Sequence, residues 1–134
     1  MLVLIKGAGD LASGVALRLH RSGFAVAMTD TPNPTAIRRT VCFSEAIRLG
    51  ETSVEGVKAR RAGNAGEALS IIKAGGIPVI VDEKCECRAE LKPDAIVDAI
   101  IAKKNINTRI DDAPIVIALG PGFTAGADCH AVIE

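Results

Sequence analysis

The sequence predicts an α/β domain with a mainly parallel sheet and helices on both faces, in a Rossmann-like, doubly wound arrangement. Three observations predict this fold class. Short apolar runs alternate with stretches of helical periodicity along the chain. The apolar runs are continuous, as is typical of strands that are buried on both faces of a sheet. A glycine-rich turn at residues 7–12 joins the first apolar run to the first helical stretch.

The first half of the chain divides into two strands and three helical pieces. We expect these elements at residues 2–6, 10–22, 24–29, 34–40 and 44–49. Gly23 and Gly50 each follow a helical pattern and supply its stop. Pro34 fits the first position of a helix, where its missing N–H costs nothing. Asp30 ends the second strand.

The second half contains one ambiguous segment and a regular remainder. Residues 52–62 allow either a small hairpin around Glu55 and Gly56 or an irregular excursion. Asn64 and Glu67 have the spacing of a capping box and predict a helix through Ala74. The later elements are expected as strands at 77–81, 95–98 and 115–119, a helical turn at 88–91, a polar loop at 105–113 and an apolar stretch at 131–133.

Size and composition limit what the chain can be. Its 134 residues correspond to one domain, 1–134, and 49% of them are hydrophobic, which excludes a disordered chain. Because the chain stops within an apolar stretch, we expect it to be part of a longer protein. No apolar run approaches the roughly 20 residues of a membrane span, and no leader is evident. We therefore expect a cytoplasmic protein with no membrane partner.

Charge and aromatic content argue against nucleic-acid binding. Sixteen basic residues balance sixteen acidic ones, so no overall field attracts a polyanion. The chain has no Trp, no Tyr and only three Phe, which excludes an aromatic platform for stacking bases. We expect small molecules or other proteins as partners, and the sequence leaves a homo-oligomer open.

The four cysteines are expected to be ordinary reduced thiols. Cys85 and Cys87 are separated by one residue, which is closer than the two to four of a zinc knuckle. Cys42 and Cys129 have no neighbouring cysteine in the sequence. We therefore predict no metal site, with a metal or redox role for these residues as the alternative.

The strongest local motif lies between the first strand and the first helix. The run Gly7-Ala8-Gly9-Asp10-Leu11-Ala12 fits the Gly-x-Gly-x-x-Gly/Ala fingerprint of dinucleotide-binding proteins. Gly7 permits a tight turn, Gly9 lets the backbone approach a phosphate, and Ala12 keeps helix and sheet close. Asp30 follows Gly9 by 21 residues, where an acid binds ribose hydroxyls.

Asp10 argues against the simplest form of this interpretation. Its carboxylate could cap the helix and occupy the N–H groups that a pyrophosphate needs. Its charge would also repel the ligand by about 1 kcal/mol. The alternative is a glycine turn that serves strand–helix packing alone.

Arg38 and Arg39 are the first candidates for an additional contact with an anion. They follow Asp30 by eight and nine residues, and a guanidinium suits a ribose 2′-phosphate or a phosphorylated pterin. A solvated arginine pair on a helix face is the alternative interpretation.

A second set of candidates follows the later strands. Asp82 and Asp98 end apolar strands, and carboxyl ends of parallel strands line the ligand crevice. Lys103 could bring a cation to that crevice, with a solvated charge run as its alternative. The loop that contains Gly120 and Gly122 is expected to form a second wall of the same pocket, unless it is a plain connection.

The common catalytic signatures are missing. The sequence contains no P-loop, no Gly-x-Ser-x-Gly elbow and no His-Glu-x-x-His. Two histidines in the whole chain make a hydrolytic triad hard to build. We assign no catalytic residue and leave open whether the protein is an enzyme.

Four stretches of the sequence resemble the selenium-dependent molybdenum hydroxylase system protein family. They are Lys6–Gly14, Ile37–Val41, Val97–Asn105 and Ala118–Gly126. The resemblance spans nearly the whole chain and implies an accessory role in the maturation of molybdenum hydroxylases. The family is also loosely similar to Rossmann-containing chaperones that deliver molybdenum cofactor. Members are longer than this chain and supply no catalytic residue to carry over.

The resemblance also implies a ligand-binding surface. By position it includes Gly7–Asp10, Arg38, Arg39, Lys103 and the loop Gly120–Gly126. The implied ligand is a nucleotide or a phosphorylated, molybdopterin-type cofactor, and the implied partner is a molybdenum hydroxylase. Two other hypotheses remain. One is an NAD(P)-binding domain of an oxidoreductase, and the other is a scaffold for protein assembly without a ligand.

Overall fold

The computed structural model describes residues 1–34 and 38–134 and shows an α/β fold with one eight-stranded sheet. The strands are β1 Leu2–Lys6, β2 Ala25–Asp30, β3 Glu51–Val54, β4 Val57–Ala62, β5 Ile77–Val81, β6 Ala95–Asp98, β7 Ile115–Leu119 and β8 Ala131–Ile133. The helices are α1 Asp10–Arg21, α2 Glu45–Leu49, α3 Ala65–Lys73 and α4 Arg88–Leu91, with a 3₁₀ turn at Arg39–Val41.

The sheet is parallel except at one edge, as the sequence predicts. The strand order is β3-β4-β5-β2-β1-β6-β7-β8, and only β3 runs antiparallel to its neighbour. After β1 and β2 the chain forms the outer hairpin β3–β4, and β5 then fits between β4 and β2. The chain next returns to β6 on the other side of β1. Lys6 lies opposite both Thr29 of β2 and Asp98 of β6, so the carboxyl ends of three strands are level.

Two apolar layers hold the helices against the sheet. Successive side chains of a strand point to opposite faces, so Val3 and Leu4 belong to different layers. On the Val3 face the layer is completed by α1 and α2, and Ala12 of α1 is fully buried there. On the Leu4 face it is completed by α3 and α4.

The covering of the sheet is uneven. Helices follow β1, β2, β4 and β5, but the connections from β6 to β7 and from β7 to β8 contain none in the described chain. Ile115 and Ile133, in these outer strands, are 41% and 55% exposed. The expected helices on both faces are therefore present over one half of the sheet only.

Several local predictions are confirmed. The strands at 2–6, 77–81, 95–98 and 115–119 have the expected bounds. The ambiguous segment is a hairpin, with Glu55 and Gly56 at φ 49° and 82° in its two-residue turn. Asn64 accepts a hydrogen bond from the Glu67 N–H at 2.9 Å, as a capping box requires. The Glu67 carboxylate, however, accepts from the Gly63 N–H at 2.6 Å.

The helix expected at residues 34–40 is not found in the described part of that segment. Residues 35–37 lie outside the described residues. Pro34 is irregular, and the chain next forms a single 3₁₀ turn at Arg39–Val41. Such short turns commonly connect longer elements, here the end of β2 and α2.

Candidate functional site: a cleft at the carboxyl ends of the strands

A cleft of about 430 Å³ opens where the strand order reverses. Its walls are the turn between β1 and α1, the end of β2, the start of the loop after β5, and the loop after β6. Ligands of open parallel sheets bind at this position, because neighbouring loops diverge there and leave a crevice. Gly7, Ala8, Gly9, Asp10 and Asp30 all line the cleft.

Gly7 is required by the protein's own structure. Its φ is +102°, and an added Cβ would lie 2.9 Å from the carbonyl oxygen of Ala99. Its N–H donates to the Thr29 carbonyl at 2.8 Å. The turn after β1 therefore passes close to the ends of both neighbouring strands, which only glycine permits.

Gly9 is different, because nothing in the protein itself requires glycine there. It is the N-cap of α1 with φ −72°, a conformation open to any residue. An added Cβ would meet no atom within 4 Å. The residue nevertheless lines the cleft, so its missing side chain leaves room beside the start of α1.

The first turn of α1 presents free donors to the cleft. The first helical hydrogen bond runs from the Ser13 N–H to the Gly9 carbonyl at 2.8 Å. The N–H groups of Gly9, Asp10 and Ala12 find no acceptor among the described residues. Together with the helix dipole, such groups favour an anion.

Asp10 is the first residue of α1, and its negative charge is paired with the Arg38 guanidinium. One carboxylate oxygen accepts the Leu11 N–H at 2.9 Å, and the other accepts from the Arg38 guanidinium at 2.6 Å. The Arg38 hydrogen bond, and then that from Leu11, lower the pKa of Asp10 below its ordinary value. The negative charge that argued against an anionic ligand is therefore balanced by Arg38.

Asp30 ties the glycine turn to the end of β2. Its carboxylate accepts from the Ala8 N–H at 3.1 Å and from the Thr31 N–H at 2.8 Å. Burial raises the pKa of Asp30 above its ordinary value, and the two N–H donors oppose that rise only in part. The side chain borders the cleft and can accept hydrogen bonds from a bound hydroxyl or amine.

The structure separates the two arginines that the sequence places together. Arg38 reaches the edge of the cleft through Asp10, whereas Arg39 turns away and pairs with Glu45 at 3.7 Å. Glu45 also binds Arg48 at 2.6 Å. Neither arginine lines the cleft, so a contact of one of them with a bound phosphate stays a prediction.

Lys103, Gly120 and Gly122 are not among the residues that line the cleft, so their expected contact with a ligand stays a prediction. Gly122 has φ +100°, and an added Cβ would lie 2.4 Å from the Cα of Lys104. A Cβ added at Gly120 would lie 3.7 Å from the Ile101 side chain, which is ordinary van der Waals contact. The glycine-rich loop therefore supports the loop after β6 from outside.

A buried polar network, which the sequence analysis did not identify, holds the loop after β6. Lys6 and Asp98 are each only 2% exposed and face each other at 4.0 Å. The Lys6 ammonium donates to Thr108 at 2.6 Å and to the side-chain oxygen of Asn107. Thr108 in turn donates to Asp98 at 2.5 Å. The sequence signal for this network is a lysine that ends an apolar strand, together with polar residues in the later loop.

The network positions the apolar side of the cleft. Asn105 accepts from the Thr108 N–H and donates to its carbonyl, both at 2.8 Å, which closes a compact turn. The same loop places Ile100, Ile101 and Ile106 along the cleft. A flat ring could pack against these side chains.

The charges of the lining residues favour some ligands over others. Asp10, Asp30, Asp82 and Glu83 line the cleft, and no lysine or arginine does so among the described residues. The cleft therefore offers many acceptors, and its donors are backbone N–H groups and the hydroxyl groups of Thr29 and Thr31. Ligands with several hydroxyl or amine groups and few negative charges fit it best.

Two structural features are not found among the described residues. None of their helices combines the length and the apolar composition of a membrane span. No group of three or more His, Cys, Asp or Glu side chains is arranged to hold a metal ion.

The chain has one strong similarity to a curated protein. It is 59% identical, over 133 residues, to "Uncharacterized protein YqeB" of Escherichia coli strain K12. The match covers 99% of this chain and 25% of that protein. The chain thus spans about a quarter of its relative. No family model and no solved structure matches the chain.

Proposed function

We propose that this chain is a Rossmann-like, doubly wound domain that binds a nucleotide or a phosphorylated pterin at the turn between β1 and α1. We further propose that it serves the maturation of a selenium-dependent molybdenum hydroxylase. The observation that carries the binding proposal is Gly9. Neither its φ nor its packing requires glycine, yet it borders both the cleft and the free N–H groups of α1.

The donors of α1 and the space at Gly9 fit a single phosphate or pyrophosphate. A backbone without a side chain can approach such a group closely, and the N–H groups of Gly9, Asp10 and Ala12 can donate to it. The Asp10–Arg38 ion pair supports this proposal, since it balances the one charge next to those donors.

The acceptors of the cleft select the rest of the ligand. Asp30 and Asp82 lie beside the turn and suit a free ribose diol or the amine edge of a pterin. A ribose 2′-phosphate would meet carboxylates instead of cations, because Arg38 and Arg39 are engaged elsewhere. We therefore favour an unphosphorylated ribose over the 2′-phosphate of NADP.

The maturation role rests on the resemblance described above, and the arrangement of its four stretches supports it. Two of them, 6–14 and 97–105, contribute residues to the lining of the cleft. A third, 118–126, packs behind the second through Gly122 and Lys104. Segments that are far apart in the sequence thus meet around one site.

A second candidate is an NAD-dependent oxidoreductase domain. The sequence objection to a dinucleotide was the charge of Asp10, and the ion pair with Arg38 weakens that objection. The cleft of the described residues supplies no arranged acid–base pair for a substrate. Under this hypothesis, those groups would come from the further length that the E. coli relative has.

A thermal-shift experiment with matched variants tests ligand binding. NADH, NADPH, ATP, CTP and inorganic phosphate would be added to wild type, Gly9→Ser and Gly14→Ala. A bound nucleotide at 100 times its Kd stabilises the fold by about 2.7 kcal/mol, or roughly 5–15 °C. Serine is a good N-cap residue, so Gly9→Ser should fold normally but lose this shift. Gly14, also with free space around its Cα, is the control that keeps it.

The outcomes separate the hypotheses. A shift with NADH alone favours the oxidoreductase. An unchanged shift in Gly9→Ser contradicts binding at this turn. Equal shifts with inorganic phosphate and with the nucleotides contradict selection of the rest of the ligand by the acceptors of the cleft. A well-folded protein that no ligand stabilises supports the scaffold hypothesis. Co-purification with a molybdenum hydroxylase in a host that makes one tests the maturation role, and no association there would contradict it.

A further inference from the structure

The loop after β6 holds an isoleucine in a backbone conformation that suits it poorly. Ile101 has φ 57°, in the left-handed region that β-branched residues rarely adopt. Among the described residues, five non-glycine residues have a positive φ, and Ile101 is the only one of them that is β-branched. Such strain persists only where the surrounding structure enforces it, and it is concentrated at functional sites.

Close backbone contacts hold this loop on both sides of Ile101. Before it, the Cα of Ile100 would lie 3.3 Å from a Cβ added at Gly7. After it, the backbone of Lys104 packs against Gly122, where a Cβ would clash. The chain between these contacts is therefore fixed, and residue 101 has to accept the left-handed conformation. Glycine or asparagine would adopt it with less strain than isoleucine does.

The apolar core does not account for an isoleucine at this position. Ile100, Ile101 and Ile106 belong to none of the three apolar clusters of the described residues. Ile100 is 36% exposed, Ile106 is 55% exposed, and Ile101 is partly buried. All three line the cleft. Their shared surroundings are thus the space that a ligand would occupy.

The lining of the cleft has a polar part and an apolar part. The turn after β1 offers N–H groups for a phosphate, and Asp30 offers acceptors for hydroxyl or amine groups. The three isoleucines offer only aliphatic surface, which gains free energy when an apolar group covers it. Nucleotides and phosphorylated pterins carry a planar ring that can do so, whereas a sugar phosphate does not.

We propose that Ile101, together with Ile100 and Ile106, binds the planar ring of the ligand and makes the cleft select ring-bearing phosphates over sugar phosphates. This inference rests on the proposed binding of a nucleotide or pterin at the turn after β1. The fixed backbone places the Ile101 side chain at the cleft before the ligand arrives, so little ordering is needed on binding.

A side chain kept for ligand binding at the expense of strain has a distinctive response to substitution. Ile101→Asn removes the apolar contact and relieves the strain, because asparagine tolerates a positive φ. The free protein should therefore become more stable while its affinity for the ligand falls. An isoleucine needed for packing would instead lose stability on the same substitution.

Calorimetric titration of wild type and Ile101→Asn tests the proposal. The ring-bearing probes are ATP, NADH and neopterin phosphate, and the probe without a ring is ribose 5-phosphate. We expect Ile101→Asn to bind the ring-bearing ligand about tenfold more weakly than wild type and ribose 5-phosphate equally well. The Tm of the free variant should rise by about 2–5 °C. Ile101→Leu keeps the apolar surface and should bind within about twofold of wild type.

Two further variants separate ring contact from relief of strain and from folding. Lys92 ends α4 with φ 49° and does not line the cleft, so Lys92→Asn relieves the same kind of strain and should leave the affinity unchanged. Ile106→Ser changes a side chain that is 55% exposed, so the variant should fold normally. It should bind the ring-bearing ligand about threefold more weakly.

The outcomes distinguish this inference from the proposed function. Equal affinity of wild type, Ile101→Asn and Ile106→Ser for a ring-bearing ligand would overturn the inference and leave ligand binding intact. A lower Tm of free Ile101→Asn, or an equal loss of affinity for ribose 5-phosphate, would assign Ile101 to packing and also overturn it. Wild-type protein that binds none of the ring-bearing probes would overturn the proposed function itself.

Discussion

The two halves of the sheet are built from the same kind of strand but are covered by different means. From β1 to β5, helices follow most strands and bury an apolar stripe such as Ala12 and Ala16 of α1. From β6 to β8, irregular loops make the parallel connections. The first half is held by many interchangeable apolar contacts. The second depends on a few specific ones.

Besides a small apolar cluster of Val116, Ala118 and Cys129, the loop-covered half is held by a buried charge pair and a close backbone approach. Lys6 and Asp98, with Thr108 and Asn107, bind the loop after β6 to the sheet. Gly122 lets the next loop pack against the backbone of Lys104. A buried ionic network adds little net stability but is costly to break. Loops can therefore replace helices over a parallel sheet, but we expect the loop-covered half to tolerate fewer substitutions.

The largest expected effect is at the charge pair. Asp98→Ala leaves the Lys6 ammonium buried without its carboxylate, so we expect a loss of about 3–5 kcal/mol in unfolding free energy. Urea denaturation measures it. Asp111→Asn, which removes the exposed ion pair with Arg109 in the same half, is the control and should cost less than about 0.5 kcal/mol. Similar losses in both variants would contradict the claim that the loop-covered half depends on its buried charge pair.

The glycine-rich loop offers a matched pair of substitutions. Gly122→Ala should destabilise the fold by about 2–3 kcal/mol, since it adds a clash with the Lys104 backbone to the strain of a positive φ. Gly126 has φ +88° but open space around it, so Gly126→Ala should cost only about 1 kcal/mol. The difference between the two variants in unfolding free energy, measured by chemical denaturation, gives the cost of the close approach between Gly122 and the Lys104 backbone. Equal losses would show that Gly122 is not needed for packing.

The helix-covered half should tolerate the loss of a single specific contact better. Asn64→Ala removes the N-cap of α3, whose side chain accepts the Glu67 N–H, and should cost about 1 kcal/mol. Thermal unfolding measures this change. A loss as large as that of Asp98→Ala would mean that this half also depends on individual polar contacts.

The smallest effect concerns pH. Because burial raises the pKa of Asp30, the folded protein binds this proton more tightly than the unfolded chain does. The contribution of Asp30 to stability is therefore full below its ordinary pKa and falls as pH rises through the raised value. Asp30→Asn should flatten this part of the stability profile in the mildly acidic range. A profile with an unchanged slope would contradict the burial effect.

Most of the helix-covered half could be predicted from the sequence. Continuous apolar strands, glycine stops and the Asn64 cap are local signals, because each depends on residues that are close in the sequence. For residues 52–62 the sequence allows either a hairpin or an irregular excursion, and the structure shows the hairpin. The helix expected at residues 34–40 is not found in the described residues of that segment, where the chain makes only a 3₁₀ turn at Arg39–Val41.

The site could be predicted where a motif or the carboxyl end of a strand marks its residues, as for the glycine turn, Asp30 and Asp82. The glycine turn and Asp30 line the cleft together, as their spacing indicates. The pairing of Asp10 with Arg38 and of Arg39 with Glu45 joins separate segments, so no local pattern contains it. The Lys6 network spans about a hundred residues of sequence for the same reason.

The most direct test of the account is amide NMR of the wild-type chain titrated with NAD⁺ or ATP. The account predicts that the largest shifts occur at the N–H groups of Gly9, Asp10 and Ala12, and that Gly9→Ser abolishes them while Gly14→Ala does not. A second hollow, which His20, Lys58 and Arg60 border, offers cations to a phosphate instead. Shifts confined to that hollow, or none at saturating ligand, would contradict binding at the turn after β1.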